Sequence, residues 1–148
     1  MIDRLSAHDL VGLDTSIFIY HLEGVRNYAE LVAPVFDAIE TGSLHGVTSL
    51  ITLLELVVRP LQMGRPDIAD EYEVRLEDFP NLTIRGFSRA TVRLASTLIA
   101  QHRLQGPDAM QIAACLQHGA TAFVTNDIRL RRVTELEIII LNDFIDVV

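Results

Sequence analysis

The sequence contains no lysine; all 12 of its basic residues are arginine. A Walker-type loop sets a lysine on its phosphates, and Schiff-base catalysis needs a lysine amine, so neither suits this chain. A phosphoacceptor receiver domain, which normally keeps a lysine beside its aspartates, is a poor match for the same reason. No G-x-G-x-x-G follows the first apolar run, where Gly12 stands alone, and this speaks against a dinucleotide site. With one cysteine, Cys115, no internal disulfide can form, which fits a reducing, cytoplasmic setting. No apolar run approaches the roughly 20 residues of a membrane span. The opening MIDRLSAHDL lacks the basic segment and apolar core of a secretory leader.

Positive charge is also scarce. The formal net charge of -8 argues against a broad basic face for sequence-independent nucleic-acid binding. It leaves room for a nuclease built on carboxylates, because bound divalent cations cancel much of such a site's charge.

What is present is a chain of 148 residues, 49% hydrophobic, long enough for one domain (residues 1–148) with a real core. No repeat, linker or low-complexity tract divides it. Short apolar runs at 10–13, 45–48, 82–85, 122–125 and 137–141 read as strands. Helices are expected after Asp14-Thr15-Ser16, over 27–40, from a Ser49 cap through Val58 until Arg59-Pro60 disturbs it, over 66–79, over 88–103 and over 108–118. In the helix over 88–103 the spacing places Val92, Ala95, Leu98 and Ile99 inward. Apolar strands alternating with helices indicate a parallel sheet covered on both faces, whose sites form at the carboxyl ends of its strands.

Four acids fall at that rim. Asp14 ends the first strand in LVGLDTSIFIY, and Asp127 follows the fourth in AFVTND. Glu55 interrupts the apolar ITLLELVV, and Asp108 opens a helix in GPDAMQIAA. Each has a plain alternative: Asp14 as a helix cap, Asp108 beside a helix dipole, Glu55 paired with Arg59 one turn on, Asp127 as a turn residue. Their joint occurrence at one edge favours a shared cleft. Converging carboxylates repel unless a divalent ion joins them, and oxygen-only ligands favour Mg²⁺ or Mn²⁺ over Zn²⁺. The five histidines show no metal-ligand spacing, and Cys115 lies on an apolar helix face.

LVGLDTSIFIYHLE, TSLITLLELV, GPDAMQIAACLQHGATAFVTND and the closing EIIIL resemble, in order and spacing, the motif regions of PIN domains. The resemblance covers nearly the whole chain and implies a three-layer α/β/α sandwich on a mainly parallel five-stranded sheet. It implies a Mg²⁺- or Mn²⁺-dependent endoribonuclease with Asp14, Glu55, Asp108 and Asp127 as catalytic acids and metal ligands, Asp14 and Asp108 foremost. Ser16, Thr125 and Asn126 match the supporting polar positions. Proteins of this length in the family are mostly toxins of the VapC type, so a small VapB-like antitoxin and a homodimer are the implied partners besides RNA. A PIN nuclease of RNA maturation or decay, and a non-catalytic PIN-like binding module, are the competing readings. Arg129, Arg131 and Arg132, just after TND, are candidate contacts to substrate phosphates.

Overall fold

The computed structural model describes residues 1–145. Five strands, β1 (Leu10–Leu13), β2 (His45–Ser49), β3 (Leu82–Arg85), β4 (Ala122–Thr125) and β5 (Glu137–Ile140), form one sheet in the order β3-β2-β1-β4-β5. Every neighbouring pair is parallel, so the sheet is parallel throughout. Side chains alternate across such a sheet, and here both faces are apolar. Ala122 and Val124 enter one core with Val11, Leu13, Ile17, Val35, Phe36 and Ile139. Phe123, between them, enters the other with Val47, Leu98, Ile112 and Leu130.

Among the described residues seven helices supply the covering layers: α1 (Ile2–Leu5), α2 (Thr15–Leu22), α3 (Tyr28–Thr41), α4 (Leu50–Gln62), α5 (Pro66–Glu77), α6 (Arg89–His102) and α7 (Gly106–Gln117). Strand β1 meets α7 at Gly12. A methyl group there would stand 2.7 Å from Cδ1 of Phe123 and 2.9 Å from Sγ of Cys115, so only glycine lets helix and strand approach this closely.

Two expectations are corrected. Helix α4 does not stop before Arg59-Pro60 but runs on to Gln62. Pro60 falls in its last turn and is buried, and Met63 N still donates to the Arg59 carbonyl. In α6 the inward residues are Thr91, Ala95 and Leu98, while Val92 (48%) and Ile99 (38%) are exposed. Ala95 and Leu98 keep the inward places expected of them, but the buried face is turned by less than one residue's roughly 100°, because Thr91 rather than Val92 turns inward to donate to Gln117 at 2.6 Å. Elsewhere the element ends shift by one or two residues. The short α1 and the 3-10 turns Ile128–Arg132 and Leu141–Phe144 carry no strong periodic signal in the sequence.

The chain leaves β1 toward β2 on one side and returns as β4 on the other. The crevice at the carboxyl ends of β1 and β4 is therefore a topological switch point.

Candidate active site

Asp14 directly follows β1 and caps α2: its Oδ1 accepts from Thr15 N at 2.8 Å. Its Oδ2 accepts from the Thr125 hydroxyl, at the end of β4, at 2.6 Å. The same Thr125 oxygen accepts from Asp127 N at 3.1 Å, so one buried hydroxyl ties the first acid to the backbone of the fourth. Glu55 comes from α4, where its Oε1 accepts from the Thr15 hydroxyl at 3.2 Å; Arg59 reaches Glu23 instead, at 3.5 Å. Asp108 comes from the first turn of α7. All four acids line one cleft of about 550 Å³, with Ser16, Tyr20, Asn126 and Ile128. A separate cavity of about 190 Å³ under Phe18, Phe36 and Phe79 contains none of them.

Burial raises the Asp14 carboxyl above its ordinary range, opposed by bonds from Thr125, Thr15 and Gln111, and the Asp127 charge adds to the rise. Asp108 is raised by burial and then by the charges of Asp14 and Asp127. Glu55, the most open of the four, is raised by desolvation and by Asp14 and Asp108, with Thr15 pulling the other way. Asp127 is lowered, first by its hydrogen bonds to Arg129. Arg129 grips it through Nε (3.0 Å to Oδ1), Nη2 (2.7 Å to Oδ2) and its backbone N–H (3.0 Å). Three carboxylates are thus uncomfortably charged, and the fourth is balanced by its own arginine.

This donor set fits a hard divalent ion. Its ligand atoms are all oxygen, its carboxylates repel one another, and the Ser16 hydroxyl is buried with no hydrogen-bond partner among the described residues. Among the described residues no three acidic, histidine or cysteine side chains are already drawn together around a point; the acids line an open cleft.

Of the supporting residues, Thr125 holds Asp14. Asn126 braces a wall, donating to the Tyr20 hydroxyl at 3.1 Å and accepting from Asn142 N at 3.0 Å. Arg131 is held by Asp143 at 2.6 Å, and Arg132 Nη1 donates to the carbonyls of His102 and Arg103 at 3.3 and 3.4 Å. Sequence reasoning missed a buried polar network behind the cleft. Thr52 bonds Thr15 (3.1 Å) and Thr48 (2.8 Å) and accepts from Gln111 Nε2 at 2.7 Å. Ser49 donates to Gln111 Oε1, and Thr48 to the Leu13 carbonyl at 2.9 Å. The available signal was Gln111, a lone amide inside AMQIAAC.

A family model, PIN domain, matches residues 11–136. No curated protein matches the sequence. Among solved structures, the chain is similar to FitAcB from Neisseria gonorrhoeae (TM-score 0.65, 16% identity, 86% of this chain and 95% of that one). It is also similar to a toxin–antitoxin complex from Klebsiella pneumoniae (0.63, 21%, 86% and 98%) and to VapBC2 from Rickettsia felis bound to a DNA fragment from the promoter (0.61, 20%, 87% and 96%). At these identities the likeness is one of fold.

Proposed function

Since the chain belongs to the PIN domain family, we propose that it is a metal-dependent endoribonuclease and acts as the toxin of a VapBC-type toxin–antitoxin pair. One observation carries the nuclease reading: Asp14, Glu55, Asp108 and Asp127, far apart in sequence, line a single cleft at the carboxyl edge of the sheet. Asp14 and Asp108 would hold Mg²⁺ or Mn²⁺, with Glu55 and Asp127 completing the set or orienting water. A divalent ion bound there supplies charge stabilisation at the phosphate and an activated water. The chain's own part is positioning. Thr125 and Thr15 N fix both oxygens of Asp14, the Thr15 hydroxyl aims Glu55, and the Thr52–Gln111 network behind them locks Thr15. No histidine lines the cleft among the described residues, and the chain has no lysine, so no acid–base pair serves the 2′-hydroxyl. The expected product end is a 5′-phosphate.

The toxin reading is supported by the toxin–antitoxin complex among the structural relatives and by an open apolar face. Leu50, Leu54, Val58 and Leu61 are 45%, 56%, 38% and 54% exposed along α4. A helical apolar stripe of this kind marks a surface that a partner covers, here an antitoxin or a second copy. The whole chain acts as one domain. No helix of the described residues is long and apolar enough to cross a membrane.

The test is cleavage of a mixed cellular RNA pool by partner-free protein, with Mn²⁺ or with EDTA, comparing wild type with Asp108→Asn. Cutting that needs the metal and disappears in the variant is expected, with 5′-phosphate ends. No cutting with either Mg²⁺ or Mn²⁺ overturns the nuclease. Expression of the chain alone in bacteria should arrest growth where Asp108→Asn does not; normal growth beside active cleavage in vitro would overturn the toxin role only.

A further inference from the structure

A smaller cavity of about 100 Å³ opens beside the acidic cleft, and Asp108 belongs to the walls of both. It is lined by Arg103, Gln105, Arg129 and Arg132 over Leu104 and Leu130. Three arginines around one hollow form a concentration of positive charge in a chain of net charge -8. The fold assembles it from two places. Arg103 ends α6 in the left-handed conformation, φ 56°, and turns the chain toward α7. Arg129 and Arg132 come from the 3-10 turn that follows β4.

The charge is largely unspent. Among the described residues neither Arg103 nor Arg132 is paired with a carboxylate. Arg132 leans on the last carbonyls of α6, which orients it without neutralising it. Arg129 is held by Asp127 in a fixed pose, and its charge also reaches Asp108. Arg131, in the same turn, is tied to Asp143 and does not line the hollow. The planar guanidinium fork is the side chain that best matches phosphate oxygens.

We infer that this hollow is a second phosphate site, which takes the backbone phosphate adjoining the one cut in the acidic cleft. The inference rests on the nuclease reading, adds a substrate-positioning role for Arg103 and gives Arg132, already a candidate phosphate contact in the sequence, a defined place. The main cleft is acidic, so it repels bare phosphate; the hollow anchors the strand one nucleotide away and lays the scissile bond across Asp108.

The experiment measures binding of short single-stranded RNA of mixed sequence by fluorescence anisotropy, in EDTA to prevent cutting, over a range of salt concentrations. Arg103→Gln and Arg132→Gln should each flatten the slope of log affinity against log salt by about 0.7, the single-strand value per phosphate contact. Arg132→Lys should restore the slope. Arg65→Gln, whose arginine is paired with Asp67 on α5, should leave it unchanged. Wild-type slopes in both Arg103→Gln and Arg132→Gln overturn the site, as does an equal loss in Arg65→Gln, which would mean a general charge effect. If Arg132→Gln fails to fold, Arg103→Gln decides the matter, since among the described residues Arg103 bonds only through its backbone. Wild-type protein that cuts RNA while the slopes stay constant removes this site alone. Wild-type protein that neither binds nor cuts RNA removes the nuclease reading, and the site with it.

Discussion

Asp14 is a helix cap and the floor of an acidic cleft at once, and the two roles share atoms. The oxygen that takes Thr15 N satisfies the start of α2, while the other is left to Thr125 and the cleft. Asp108 is different. No hydrogen bond to its carboxylate appears among the described residues, and the charges of Asp14 and Asp127 bear on it. Asp108→Asn should therefore stabilise the metal-free protein, by up to about 1 kcal/mol after solvent screening, or about 2–4 °C in melting temperature for a chain of this size. Millimolar Mn²⁺ should raise the wild-type melting temperature by mass action and raise that of the variant much less. Differential scanning calorimetry with and without Mn²⁺ reads both effects; a wild type indifferent to Mn²⁺ would mean that the acids do not act together. The acids were legible in the sequence because each breaks an apolar run or opens a helix, where a charge needs a reason. The threonines behind them were not, since Thr15, Thr48 and Thr52 are ordinary residues for a cap, a strand and a helix. Arg129's grip on Asp127 depends on a 3-10 turn that no periodicity announces.

At the scale of elements, packing of α7 on β1 decides where Asp108 stands relative to Asp14. Gly12 sets that separation. Gly12→Ala must push back Phe123 or the Cys115 side chain, both buried, and overpacking of this kind costs about 1–3 kcal/mol. Urea unfolding should show the loss, and cleavage should fall beyond it because Asp108 moves with α7. An unchanged midpoint would mean that the sheet flexes to absorb the methyl. The strands were the most legible elements: β1, β3 and β4 begin and end where their apolar runs do. Helix phase was less so. In α6, Thr91 won the inward place over Val92 through a hydrogen bond to Gln117, and pattern alone counts a valine ahead of a threonine. Pro60 shows the same limit. A proline reads as a stop, yet in the final turn it forfeits a single backbone bond, and α4 runs on past it.

Across the molecule, the two ends of the described chain are clasped at the edge of the sheet opposite the cleft. Glu137 of β5 pairs with Arg4 at 2.5 Å and with His8 at 2.6 Å, and His8 also meets the Thr121 hydroxyl at 2.7 Å. The bond to His8, then Arg4, holds the Glu137 carboxyl below its ordinary 4.5. A carboxyl lowered by folding stabilises the native state above its unfolded value, and that contribution disappears as pH falls through the folded value. Glu137→Gln should therefore destabilise the protein at neutral pH, modestly because the pair is partly exposed, and the difference from wild type should vanish well below pH 4.5. Urea titrations at a series of pH values measure it; a constant difference down to the lowest pH would place the effect in packing instead.

The central strand β1 pairs with β4, which follows it only after β2, β3 and the helices between them. Until β4 docks beside β1, Asp14 has no Thr125 to hold it and no Asp127 across from it. On the proposed reading, the order of strands in this sheet leaves the acidic cleft incomplete until β4 has docked beside β1, so a partly folded chain would not cut RNA.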